Sequence, residues 1–291
     1  MGLQTEVAMP RLAGERAFVT LGGAYVRLPR MPYYGPGPDS AKTGRSNFLV
    51  ERTTFDVRTG IRPFRYVTLG ASAGYLLFNV GEGRHPNFIS AAQQYSPAVT
   101  PGIQQQTNYI RTGGLLQFDY RDDPNGARAG GNYFVTYDYY SDRKFDLYSF
   151  RRVHGEVQQY LPFLNKRRVI ALRLATDISD RNRDQIVPFY LQPTLGGSDI
   201  LRGYRPFRFY GDHALAMTAE YRWESFAGLD MALFYDRGKV FSDLGEFDFT
   251  GLRSSYGFGF RFNARNRVFL RLDTGFSREG FQVWLKFDNV F

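Results

Sequence analysis

The sequence predicts an all-β protein, an antiparallel transmembrane β-barrel of about twelve strands. Three observations predict it. The segment 280–291 alternates, with Phe281, Val283, Leu285, Phe287 and Phe291 on one parity and Gln282, Trp284, Lys286 and Asp288 on the other. A strand points successive side chains to opposite faces, so this one carries an apolar wall and a mostly polar wall. Runs of about ten such residues recur between turns, which is how a barrel in lipid reads. Finally, aromatics make up 17% of the 291 residues, 27 Phe and 20 Tyr against 2 Trp. That excess suits girdles at two membrane interfaces better than a soluble sandwich core. An end on Phe291 inside a strand suits a sheet that closes through its last strand.

Composition narrows the alternatives. Mean hydropathy is −0.38, a value that averages a lipid face with a wet face and so decides nothing. No run of about 18 apolar residues occurs, so helical spans are not expected. The chain has no cysteine, so disulfides and thiolate metal sites are impossible. Residues 1–14 lack the basic-then-apolar layout of a secretory leader. Either a leader has been removed or the chain is a fragment. The net charge of +9 is spread along many strands rather than gathered in one patch. It fits a polar lumen and anionic lipid head groups, including lipopolysaccharide, and not a nucleic-acid partner.

The twelve predicted strands are 15–28, 49–61, 65–79, 107–121, 131–142, 146–161, 167–179, 213–225, 229–241, 252–264, 267–278 and 280–291. Parity assigns their faces. In 213–225, Leu215, Met217, Ala219, Tyr221 and Trp223 oppose Thr218, Glu220, Arg222 and Glu224. In 252–264, Tyr256, Phe258, Phe260 and Phe262 oppose Ser255, Gly257, Gly259, Arg261 and Asn263. In 267–278, Val268, Leu270 and Leu272 oppose Arg271 and Asp273. The segment 146–161 fits least well, with Arg151 and Gln159 on its apolar parity.

Connections alternate between short (62–64, 162–166, 225–228, 264–266) and long (29–48, 81–106, 181–212, with 242–251 intermediate). Outer-membrane barrels have tight periplasmic turns and longer outer loops. If Phe291 ends at the periplasmic rim, every long connection falls outside, and an even strand count returns the N-terminus to the periplasm. No helical domain, linker or repeat array is expected, so 1–291 reads as one barrel domain.

One loop stands out. Residues 195–211 contain four glycines and three arginines, and Gly196, Gly197 and Gly203 permit sharp backbone turns. Gly196 and Gly197 followed by Leu201, Arg202, Gly203 and Tyr204 resemble the Val-Arg-Gly-Phe/Tyr loop signature of the BamA/TamA superfamily. Phe234, Asp236 and Gly238 resemble its Phe-x-Asp-x-Gly strand motif, with all three on the lumen parity. Asp119, Arg121 and Asp122, with Pro124, Gly126 and the Gly130–Gly131 pair, resemble its Asp-x-Arg-Asp periplasmic hairpin. Five strands follow the signature loop, as in the family. Val283, Leu285, Phe287 and the terminal Phe291 resemble its sorting signal, although Asp288 stands where glycine is common.

The resemblance is specific from about residue 107 onward. It implies a loop 181–212 folded into the lumen, with Arg202 meeting Asp236. A guanidinium in a confined lumen needs a carboxylate, and a bidentate fork fixes the loop. It also implies insertion or translocation of unfolded outer-membrane polypeptides in the bacterial outer membrane, without a cofactor. Periplasmic or lipoprotein subunits would be further partners. The family barrel has sixteen strands and periplasmic POTRA domains. The chain is therefore the C-terminal part of such a barrel or a naturally short one.

Rival chemistries are weaker. Of the three histidines, His85 and His213 fall in or beside loops, and His154 shares the polar parity with Arg152, Glu156 and Gln158. Ser149 has the opposite parity to His154, so a lipase-type pair is not expected. Asp212–His213 is only a sequence-adjacent match to a protease pair. Glu220 and Glu224 read as partners of Arg222 and Arg261. Catalysis is not expected. A passive anion-favouring pore, or an anchoring barrel that has lost its periplasmic domains, is the alternative.

Overall fold

The computed structural model describes residues 2–14, 16–264 and 267–287. Thirteen strands form one antiparallel sheet in which sequence neighbours pair, except where one long loop intervenes. They are β1 (Gly2–Leu12), β2 (Ala17–Tyr33), β3 (Ser46–Phe64), β4 (Val67–Glu82), β5 (Gln106–Asp119), β6 (Gly130–Asp142), β7 (Phe150–Phe163) and β8 (Arg168–Asp180). Then come β11 (His213–Phe226), β12 (Leu229–Phe241), β13 (Arg253–Ala264), β14 (Arg267–Ser277) and β15 (Gly280–Lys286). Between β8 and β11, β9 (Thr194–Leu195) and β10 (Phe209–Tyr210) form a small ladder inside the loop. A short helix, α1 (Ala91–Gln94), starts on Ser90, whose Oγ accepts the Ala92 N–H.

The extra strand is β1, in the segment left unassigned by the sequence. Its eleven residues are all exposed, so neither face shows the contrast that marks a half-buried strand. Its ladder comes from β2, with Leu3↔Tyr25 and Val7↔Leu21 on the outer wall. Pro10 is tolerated because an edge strand need not donate on both sides. Thirteen strands rather than an even number put Gly2 at the end that carries the long connections, not at the periplasmic end.

Parity holds along most strands. Leu233 and Tyr235 of β12, Tyr256 and Phe258 of β13, and Phe281, Val283 and Leu285 of β15 are all exposed, whereas Asp236, Ser255, Arg271 and Asp273 are buried. Val268 is the exception. The β13–β14 register jumps from Phe262↔Leu270 to Asn263↔Val268. The bulge leaves Phe269 facing out at 51% exposure and turns Val268 into the lumen beside Arg261 and Asn263. Residues 146–149 are loop, and β7 begins at Phe150. Its two polar outward residues find partners: Arg151 pairs with Asp180 at 3.1 Å, and Gln159 accepts hydrogen bonds from the Tyr120 and Tyr133 hydroxyls.

The lumen is filled at its outer end. Tyr33, Phe48, Phe78, Tyr109, Tyr140, Phe150, Phe189 and Tyr210 share one buried cluster contributed by six strands and the long loop. Most of their rings meet edge-on or tilted, as Tyr33–Tyr210 at 4.9 Å and Phe48–Phe189 at 4.7 Å do, while Tyr140 and Phe150 stack at 4.5 Å. At the inner end the β5–β6 hairpin tucks in, burying Ala127 against Tyr160, Val169 and Ala171.

Candidate functional site

The loop between β8 and β11 enters the lumen because its backbone can reverse there. Gly196 and Gly197 have φ of +106° and +127°, and a side chain at Gly196 would meet Arg205 O at 2.3 Å. The Arg208 N–H donates to Leu195 O at 2.9 Å and the Tyr204 N–H to Leu201 O at 2.9 Å. Leu201, Arg202 and Tyr204 are buried. The loop tip therefore presents Arg202 to the barrel wall with its direction set by backbone.

Arg202 and Asp236 meet. Nη2 and Nε donate to the two Asp236 oxygens at 2.9 and 3.1 Å, and the Arg202 backbone N–H adds a third contact at 3.0 Å. Thr218 and Ser255 also donate to that carboxylate, at 3.1 and 3.2 Å. The guanidinium lies 3.4 Å from the centre of the Phe234 ring, a cation–π contact strengthened by the burial of both groups. Gly257 makes room for that ring, since a Cβ there would sit 2.5 Å from Phe234 Cζ. Gly238 likewise admits Leu195, which would lie 3.1 Å from an added Cβ.

Further charges surround this pair. Arg202 Nη1 reaches Glu220 at 2.6 Å and Asp273 at 3.4 Å. Glu220 also binds Arg222 at 2.7 Å and Arg261 at 3.1 Å. Arg261 holds Asp273 at 2.5 Å, and Arg271 holds Asp199 of the loop at 2.6 Å. Arginines 202, 222, 261 and 271 thus face Asp199, Glu220, Asp236 and Asp273. The charges balance, as burial demands. Glu224, read from the sequence as a partner of Arg222 or Arg261, instead pairs with Arg167 of the β7–β8 turn at 3.6 Å, because it lies one row nearer the rim.

The loop backbone also lies directly on β14. A Cβ on Gly203 would sit 2.5 Å from Phe276 O, and one on Gly275 would sit 2.6 Å from Arg202 O. Ser277 Oγ donates to Gly203 O at 2.8 Å, and Trp284 Nε1 to Arg202 O at 2.7 Å. Trp284 has an indole on the polar wall of β15 because its N–H serves the loop. This loop, the latch, so touches every strand from β11 to β15.

A second arginine of the loop works across the sheet ends. Arg208, buried, pairs with Glu279 of the β14–β15 turn at 2.8 Å and donates to Ser40 Oγ and Ser40 O at 2.9 and 2.6 Å. Lys42 Nζ donates to Glu279 O at 2.7 Å, and Arg253 grips Pro38 O and Asp39. Loops next to opposite edges of the sheet are tied together this way. Nothing in the sequence marks Glu279 or Ser40 for this role, because Arg208 lies 71 positions from Glu279 and 168 from Ser40.

The remaining candidates are local. Asp119 takes a bidentate fork from Arg121, at 2.9 and 2.7 Å. Asp122 accepts the Arg128 and Ala129 N–H groups and Lys166 Nζ, and Arg128 reaches Asp230 at 2.5 Å. His154 pairs with Asp177 at 3.0 Å. His213 Nδ1 accepts the Ser179 N–H, and Ser149 Oγ accepts the Asp142 N–H. Val283, Leu285 and Phe287 line the outer wall at the sheet edge. Phe291 and Asp288 lie outside the described residues.

The Omp85 superfamily domain matches residues 30–278. The chain belongs to the Omp85 superfamily. No curated protein matches this Omp85 barrel in sequence. Its fold is similar to that of BamA from Haemophilus ducreyi lacking POTRA domains 1–3, at 13% identity and a TM-score of 0.72, over 97% of this chain and 61% of that one. It is also similar to CdiB from Escherichia coli, at 14% identity and a TM-score of 0.61, over 99% of this chain and 51% of that one. The chain thus spans less than two thirds of either protein. Membership places this Omp85 chain as a β-barrel in the bacterial outer membrane.

Proposed function

We propose that this barrel assists insertion or translocation of outer-membrane polypeptides by offering a strand-pairing edge within the bilayer. The observation that carries the reading is the state of the two sheet edges. Among the described residues β1 pairs only with β2, and β15 only with β14. Loops, not a ladder, tie the two sides together through Arg208, Glu279 and Ser40. Unpaired strand edges recruit further strands through their free backbone groups. In hydrocarbon such groups have no water to satisfy them, so an arriving strand lowers the energy of both partners. The clients are unfolded outer-membrane polypeptides, with lipids beside the seam and periplasmic or lipoprotein subunits as further partners. Mismatch between a short seam and the bilayer thins the lipid there and eases entry.

The absence of native cysteine makes the test clean. Single cysteines in β1 and β15 are joined by bismaleimides of graded length, and folding of a barrel client into liposomes is followed by protease protection. The tethered form should lose insertion, while a reducible tether should restore it on cleavage. Full insertion by the tethered barrel would overturn the proposal.

A further inference from the structure

The outer wall carries a charge that the barrel leaves unanswered. Arg27, Arg151 and Lys239 all project outward from the outer halves of their strands, and each has a carboxylate: Glu51, Asp180 and Asp248. Arg237 of β12 shares the parity of Leu233 and Tyr235, both exposed to the lipid side. Among the described residues no carboxylate pairs with it, and its buried Nε has no hydrogen-bond partner. A guanidinium on a lipid-facing wall is costly unless an anion accompanies it. Protein supplies none here.

An apolar trough begins at that arginine. The ladder puts Arg237, Met217, Leu174 and Val157 in one row across β12, β11, β8 and β7. Ala219, one outward position further along β11, leaves the row hollow, and Phe249 of the β12–β13 loop forms its roof. The space is about 480 Å³. Three inter-strand spacings make it about 14 Å long, enough for most of an extended fatty acyl chain. The roof is held in place. Lys239 binds Asp248, and Phe247 packs edge-on against Phe241 at 5.9 Å. This folds Leu244, Phe247 and Phe249 along the barrel with their side chains exposed, as suits a loop dipped into lipid.

We infer that this trough is a binding site for a phosphorylated, acylated glycolipid of the lipid A class. Arg237 takes the phosphate, and one acyl chain lies under Phe249. Charge and position select the occupant. The unanswered cation needs a diffuse oxyanion, which a planar guanidinium binds in a fork. Ser254, the ladder partner of Arg237, and the Tyr235 hydroxyl that donates to it at 3.3 Å supply polar atoms beside it. Arg237 lies toward the end of the strand that carries the long loops, where the outer leaflet presents its phosphorylated sugars. The inference rests on outer-membrane placement and not on polypeptide insertion, so either can fail alone.

The test is native mass spectrometry of the full chain in detergent, titrated with lipid A, dephosphorylated lipid A and phosphatidylglycerol. The wild type should retain one lipid A. Arg237→Met, which keeps the wall apolar, should weaken retention about tenfold, the loss expected for one charge-assisted contact. Phe249→Ser, in a loop outside the ladder, should weaken it for all acylated probes, and dephosphorylated lipid A should bind the wild type no better than it binds Arg237→Met. Equal retention by wild type and Arg237→Met overturns the site. Phosphatidylglycerol binding as tightly as lipid A overturns the choice of occupant.

Discussion

Arg202 shows why one side chain can hold the whole loop 181–212 in place. It is wholly buried, and its partners Asp236, Glu220 and Asp273 are buried with it. Removing the guanidinium leaves three carboxylates beside three remaining cations, Arg222, Arg261 and Arg271, which pair with Glu220 and Asp273 and not with Asp236. Stranding a buried charge costs about 3–5 kcal/mol. Arg202→Ala should therefore lower the temperature at which the folded barrel loses its compact form on semi-native gels. Arg202→Lys should recover only part of the loss, since an ammonium cannot fork onto Asp236 while reaching Glu220. Unaltered heat-modifiability in the alanine variant would show that the latch adds little stability. The pairing of Arg202 with Asp236 was legible as a resemblance between short motifs. Glu220 was legible as a partner of Arg222 and Arg261 but not of Arg202, and Asp273 only as a lumen-facing position, because parity gives a face and not the distance across a lumen.

At the scale of one element, the β5–β6 hairpin is the inner counterpart of the latch. Burial raises the Asp122 carboxyl, but the Lys166 ammonium and the Arg128 and Ala129 N–H groups outweigh it and hold the group below its ordinary value. A carboxyl whose folded value is depressed stabilises the fold above its unfolded value, about 3.9, and that contribution fades as pH falls through the folded value. Amide exchange in residues 120–129 should thus show constant protection from neutral pH down to about 5, then lose it below about 4. Asp122→Asn should start less protected and show a smaller acid step. An identical acid profile in wild type and Asp122→Asn would assign the step to other carboxylates. Strand elements were readable from alternation. The bulge at Phe269 was not, because a one-residue insertion inverts parity without changing composition.

Across the whole molecule, the aromatic cluster, the latch and the hairpin succeed one another down the lumen. A sheet of this many strands encloses more space than the side chains of an eight-stranded barrel fill, and here loops occupy it. Planar-bilayer recordings should give small, flickering currents for the intact chain and larger, sustained ones after deletion of residues 190–210. A large steady conductance before deletion would favour the passive-pore alternative. The +9 charge that suggested anion preference is partly consumed inside. Arg202, Arg222, Arg261 and Arg271 are neutralised by buried or loop carboxylates.

Sequence by itself determined the fold class, the faces of most strands, the division of long and short connections between the two ends and the loop whose arginine meets Asp236. All of these follow from local rules: period-two alternation, turn residues and short motifs. Tertiary structure alone decided that residues 2–12 form an edge strand, that Arg208 spans the sheet ends, and that Arg237 faces outward with no carboxylate partner among the described residues. Each depends on which strands become neighbours, and in a curled sheet that is a property of the whole chain.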